Sequence, residues 1–280
     1  MTLIQIIHDR IQGSDRRDIS LDARWIASER PLPIVVFAHG YKGFKDWGCW
    51  NLVANKFAEA GFLFIKFNFS HNGTTVASPT DFVDEEAFGN NNYSKELFDL
   101  KEIIKWTSKA EQLAAVADTS TLHLVGHSRG GGISLLAAGM KEVKSFATWA
   151  SVADFASRFP FGHALKEWKE KGVFHVLNAR TGQQLPHFIQ FFDDFVQHEE
   201  KLDIRTSTKL ISKPFLILHG SEDEAVHISE AMRLNKWGVF SSMYFVQGAS
   251  HTFGAKHPWE KEQLPVDLDD VVERTIAFFK

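Results

Sequence analysis

LHLVGHSRGGGISLLAA, residues 122–138, decides how this chain is read. Four mostly apolar residues run into Gly-His-Ser-Arg-Gly-Gly, and a small-residue helical pattern begins at once. A serine at so abrupt a strand-to-helix corner has a chemical use. Its hydroxyl is a poor nucleophile until a base takes its proton, and it must stand clear of the backbone to reach a carbonyl. The corner exposes the hydroxyl but crowds the positions two before and two after it. Glycine relieves that crowding, and Gly126 and Gly130 flank Ser128 at those two places. The same turn sets the Arg129 amide at a helix N-terminus, aimed at developing negative charge. A bare Gly-x-Ser-x-Gly arises by chance in roughly one chain in ten of this size, so its surroundings must carry the reading.

Those surroundings alternate in type. TLIQIIH (2–8) and ISLDARWIA (19–27) read as strands joined by the polar turn GSDRRD. PIVVFAHG (33–40), FLFIKFNFS (62–70), TLHLVG (121–126) and KSFATWAS (144–151) read as buried strands. Between them NLVANKFAEAG (51–61), YSKELFDLKEIIKWTSK (93–109) and SRGGGISLLAAGMK (128–141) have helical spacing. PFLILHG (214–220), HISEAMRLNKWG, SSMYFVQG and LPVDLDDVVERTIAFFK continue as strand, helix, strand, helix. Such alternation predicts an α/β fold, a mostly parallel eight-stranded sheet with helices on both faces. The pattern breaks between 152 and 213, where aromatic, polar and charged residues mix with short helical pieces. The expected organisation is a core of 1–151 and 214–280 with a lid inserted at 152–213, after strand 6.

Composition narrows the field. At 280 residues and 44% hydrophobic, the chain can bury one large core. The net charge of −4 is scattered, with no basic stripe, so nucleic acid is not an expected partner. The 25 Phe and 8 Trp suit a packed interior or, in part, an aromatic pocket. The lone Cys49 fits a reducing compartment and burial as a small apolar residue. No signal peptide or membrane-length apolar run stands out, and a cytoplasmic protein is expected.

The remaining parts of a nucleophilic site can be sought in the same loops. IVVFAHGYKGF offers the Tyr41 amide as a second oxyanion donor. LILHGSEDEAV offers Asp223 in a turn after a later strand, with Glu222, Glu224 and Asp154 as rivals. MYFVQGASHTFG places His251 after the last strand. In a parallel sheet these loops share one edge, so Ser128, Asp223 and His251 can meet. Of the other histidines, His39, His127 and His219 adjoin strand ends and read as structural, while His71 and His257 suit either the cleft or the surface.

With these residues in hand, the chain resembles the α/β-hydrolase superfamily along essentially its whole length. HGYKGFKDWG, FNFSHNGT and VGHSRGG resemble the dienelactone-hydrolase-like and cinnamoyl (feruloyl) esterase-like branch. Its loop after the fourth strand reads SHNGTT in place of a Gly-x-Gly-x-Ser-like run. The resemblance implies Ser128 as nucleophile, His251 as base, Asp223 as acid, and the Tyr41 and Arg129 amides as oxyanion hole. It implies a carboxylic-ester hydrolase acting on a small-molecule ester, with no cofactor and no metal. A thioesterase, a lactonase or a serine peptidase would use the same residues, and a non-hydrolytic ligand sensor stays open. A homodimer is left open. In the insertion, Arg158, Arg180, His163 and His187 are candidates to orient a polar substrate, and the Arg129 side chain reads as structural or solvated. The Tyr41 hydroxyl is a further candidate for the acyl site.

Overall fold

Strand β3 (Leu32–Ala38) shows how the sequence builds its interior. Side chains alternate across a strand. Ile34, Val36 and Ala38 face one apolar cluster, and Val35 and Phe37 face another on the opposite side. Strand β4 (Leu63–Phe67) does the same, with Leu63, Ile65 and Phe67 against Phe64. A sheet buried on both faces needs helices on both, and the fold supplies them. The coordinates are a computed structural model that describes residues 3–280.

Strands β1 (Ile4–Gln12) and β2 (Asp18–Ile26) enter antiparallel, and β2 pairs antiparallel with β4. From β4 onward the pairs are parallel through β3, β5 (Ala117–His127), β6 (Val143–Trp149), β9 (Phe215–Gly220) and β10 (Ser241–Val246). The order is β1-β2-β4-β3-β5-β6-β9-β10, the expected mostly parallel eight-stranded α/β sheet. Helices α1 (Trp50–Glu59) and α9 (Val266–Phe279) cover one face through Val53, Phe57, Leu268 and Val271. Helices α3 (Tyr93–Thr107), α4 (Arg129–Ala137) and α8 (Ser229–Trp237) cover the other through Leu100, Ile103, Ile133 and Leu234. Thr2, placed by the sequence in the first strand, lies outside the described residues.

Between the adjacent strands β6 and β9 the chain makes an excursion. It holds α5 (Gly162–Lys171), an antiparallel hairpin β7 (Val173–Leu177) and β8 (Gln184–Phe188), α6 (Gln190–Gln197) and α7 (Ile204–Leu210). Helix α7 packs back on α4 and α8. The hairpin was not visible as strands in the sequence, nor was the short helix α2 (Glu85–Gly89). The two are neighbours: Gln183 donates to the Phe82 carbonyl at 3.0 Å, and Gln190 donates to the Asn91 carbonyl at 3.0 Å. Leu185 of β8 is fully buried against Phe44, Phe82 and Phe88. The excursion is therefore fastened to the loops of the parallel edge. Cys49 is buried at the start of α1, and desolvation pushes its thiol up to about 12. Among the described residues no helix is long and apolar enough to cross a membrane.

Candidate active site

Ser128 stands between β5 and α4 with φ +57° and ψ −120°, a backbone conformation that a side chain disfavours. The corner is held by its neighbours. The Ser128 amide donates to the Trp149 carbonyl at 2.9 Å, and its own carbonyl accepts the Gly131 amide at 3.0 Å. A β-carbon at Gly126 would lie 2.4 Å from the Gly130 carbonyl oxygen, and one at Gly130 would lie 2.3 Å from that of Ala38. Both clashes are with backbone, so no rotamer escapes them. Arg129 opens α4, where first-turn amides have no acceptor within the helix. The loop after β3 passes close by: a β-carbon at Gly40 would come within 2.9 Å of the Ser128 β-carbon. Tyr41 follows directly.

Asp223 and His251 arrive from the turns after β9 and β10. Asp223 Oδ1 accepts the amides of Ala225 at 2.9 Å and Val226 at 2.8 Å. Its Oδ2 accepts from His251 Nδ1 at 2.8 Å. An ionised carboxylate only accepts, so Nδ1 carries the proton and Nε2 is left with a lone pair. Ser128 Oγ donates to that Nε2 at 3.0 Å. Burial works to raise the Asp223 pKa. Hydrogen bonds from His219, His251 and the Val226 amide outweigh it, and the carboxyl stays well below the usual carboxylate range. Of its rivals, Glu222 and Glu224 are exposed, and Asp154 accepts the amides of Ala156 and Ser157 at 3.0 Å each.

The other histidines divide by surroundings. His127 Nε2 donates to the His251 carbonyl at 3.0 Å, and His219 Nε2 donates to the Val226 carbonyl at 2.8 Å. His39 Nδ1 donates to the Gly40 carbonyl at 2.9 Å, and burial lowers its pKa to about 4. His71 lies buried beside Ser70, away from the cleft. His257 lines the cleft, and its Nδ1 accepts the Gly48 amide at 2.9 Å.

Two cavities meet at Ser128 and His251. The larger, about 1120 Å³, runs under the excursion, with Phe155, Phe159, Trp168 and Phe174 in its walls. The smaller, about 300 Å³, lies between the β3 loop and the hairpin, with Trp47, Asn178, Arg180 and His257 in its walls. Tyr41 and Lys42 border both. Arg158 reaches the larger cavity but is ion-paired with Glu230. Arg180 donates to the Thr80 carbonyl at 3.4 Å, and His163 is exposed on α5.

The Arg129 side chain is largely withdrawn from solvent, 13% exposed. Its guanidinium is 3.3 Å from Glu96 Oε1 and 4.2 Å from the centre of the Tyr41 ring. Burial raises the Glu96 pKa against the lowering pull of Arg129. Glu96 escaped sequence reasoning, since on an amphipathic helix it reads as one more solvated charge. His187 was one of four candidates in the insertion; the structure sets its Nε2 2.6 Å from the Tyr41 hydroxyl.

Solved structures share this architecture. The esterase domain of a Rhodothermus marinus protein matches at TM-score 0.65 and 19% identity, over 98% of this chain and 97% of its own. Est1E from Butyrivibrio proteoclasticus, solved with ferulic acid bound, matches at 0.69 and 18%, over 97% of both chains. A puromycin-hydrolyzing peptidase of Mycobacterium tuberculosis matches at 0.68 and 17%, over 99% of this chain and 39% of its own. At these identities the likeness is one of fold. No curated protein matches the chain in sequence. The BD-FAE family model matches residues 21–237, most of the length, and takes in the Ser128 corner, the excursion and Asp223. The chain therefore belongs to the BD-FAE family, within the α/β-hydrolase superfamily.

Proposed function

We propose that this protein is a serine hydrolase that cleaves carboxylic esters through an acyl-enzyme on Ser128. The observation that carries the reading is the unbroken run Asp223–His251–Ser128, with contacts of 2.8 and 3.0 Å. His251 Nε2 takes the Ser128 proton as Oγ attacks the acyl carbonyl. Asp223 holds the imidazole tautomer and stabilises the imidazolium. The Tyr41 and Arg129 amides receive the oxyanion, and losing one such donor typically costs about 10²–10³ in turnover. The tetrahedral intermediate collapses, His251 protonates the leaving alkoxide, and water repeats the sequence to free the acid.

The aromatic walls of the larger cavity favour small to medium acyl groups with apolar or aromatic character. Ferulic acid bound to Est1E on the same fold agrees with that preference. Residues 152–213 act as the lid over the core of 1–151 and 214–280.

A fluorophosphonate tests the reading. Wild-type protein is expected to be labelled at Ser128, and Ser128→Ala to lose both labelling and turnover across chromogenic esters. Labelling elsewhere, or ligand binding with no turnover of esters, thioesters or amides, would overturn it. Turnover of thioesters or aminoacyl amides in place of esters would redirect it to a thioesterase or peptidase.

A further inference from the structure

Tyr41 borders both cavities, and its phenol hydroxyl leaves the core to meet the excursion. The hydroxyl, the better proton donor of the two, donates to His187 Nε2 at 2.6 Å across 146 residues of sequence. His187 is buried in β8, and its ring is stacked near Phe174 at 5.0 Å and Phe191 at 5.7 Å. Its carbonyl accepts the Trp168 indole at 2.9 Å. The imidazole is thus flanked by rings from β7 and α6, and the His187 backbone is held by an indole from α5.

The loop that carries Tyr41 needs such support. Lys42, the next residue, has φ +54°, a left-handed conformation that a non-glycine residue adopts only at an energetic cost. Surroundings must hold it there. One hold is the Arg129 guanidinium, 4.2 Å from the Tyr41 ring centre. Another is Leu185, buried with Phe44, Phe82 and Phe88 beside Tyr41. The third is His187. Arg129 and Tyr41 are also the residues whose amides the reading above assigns to the oxyanion.

Resting on that reading, we propose that the Tyr41–His187 hydrogen bond makes the β7–β8 hairpin a positioning element for the Tyr41 amide, so that seating of the excursion sets turnover rather than substrate affinity. His187 is then a positioning residue that touches no reacting atom. Burial pushes the Tyr41 phenol up to about 12 and lowers His187 to about 3, so the link persists unchanged through neutral pH.

The test compares Tyr41→Phe, His187→Leu, His187→Gln and the double variant Tyr41→Phe/His187→Leu with wild type. Two readouts are used: the rate at which a fluorophosphonate labels Ser128, and kcat and KM for p-nitrophenyl acetate at pH 6–9. Tyr41→Phe and His187→Leu are each expected to slow labelling and lower kcat about tenfold, with KM changed less than twofold. The loss should be the same at every pH. His187→Gln, which keeps a hydrogen-bonding group, should recover most of the rate. The double variant should be no slower than the slower single one. A rise in KM at constant kcat, or labelling at the wild-type rate in both single variants, would overturn the proposal and leave the pair as a cavity wall only. Tyr41→Phe removes one oxygen, so it decides the matter if His187→Leu melts early. If wild-type Ser128 takes no label and no ester turns over, the hydrolase reading itself falls and takes this one with it.

Discussion

His219 and His251 converge on one oxygen: their Nε2 and Nδ1 atoms lie 3.2 and 2.8 Å from Asp223 Oδ2. The other carboxylate oxygen accepts two backbone amides. Every approach to this side chain is thus a donor. Asp223→Asn would turn an amide N–H₂ toward donors on one side or the other and favour the wrong His251 tautomer. Turnover of p-nitrophenyl acetate is expected to fall about 10³–10⁴-fold with the fold intact by circular dichroism. A loss smaller than tenfold would remove Asp223 from the mechanism.

The strained backbone at Ser128 separates stability from activity. Alanine and glycine both delete the Ser128 hydroxyl, but only glycine relaxes at φ +57°. Ser128→Gly is expected to be about 1–2 kcal/mol more stable than Ser128→Ala in urea unfolding. Equal stabilities would mean that the corner stores no strain.

Arg129 and Glu96 form a buried pair that is incompletely satisfied, since Glu96 Oε2 has no partner among the described residues. Glu96→Ala leaves a guanidinium uncompensated among three aromatic rings and should cost about 3–5 kcal/mol. Replacing both, as Glu96→Leu with Arg129→Met, should cost less than the single change. Chemical denaturation of the three proteins checks the order.

Acid should unfold this protein early. Burial holds His39, His71 and His123 at about 4, and His127 and His187 at about 3, against an ordinary 6.5. Their folded values lie below the unfolded one. Their contribution is therefore complete above pH 6.5 and is lost as pH falls, through about 4 for the first three and about 3 for the other two. Asp99, lifted by burial to about 7, and Glu96, lifted likewise, oppose them by keeping protons the unfolded chain releases. The five histidines outnumber the two carboxyls, so near pH 5 unfolding should take up protons on balance and stability should fall with acid. Melting temperature is expected to drop steeply between pH 6.5 and 5, and less steeply in His123→Gln. A flat profile over that interval would contradict it.

What sequence reasoning reached was governed by distance along the chain. The corner around Ser128 is local, because Gly126 and Gly130 answer backbone clashes within a few residues. The core strands and the positions of Asp223 and His251 follow from alternation and from one shared sheet edge. The hairpin did not show itself, because VFHVL and QLPHF are short and Pro186 interrupts the second. The Tyr41–His187 and Arg129–Glu96 contacts join residues 146 and 33 apart, and no local pattern encodes either. His71 carries the polarity of a surface residue, yet tertiary packing buries it with Ser70.

That both cavities open on one hydroxyl has a consequence for traffic. In a hydrolase of the proposed kind, the halves of a cleaved molecule part in opposite directions. The alcohol vacates its chamber and leaves room for the water that completes the cycle, while the acyl half stays anchored in the other. Trp168 stands in one chamber and Trp47 in the other. Selectivity for the two ends of a substrate can thus drift separately in evolution wherever the walls are not shared, Tyr41 and Lys42 being the partition common to both.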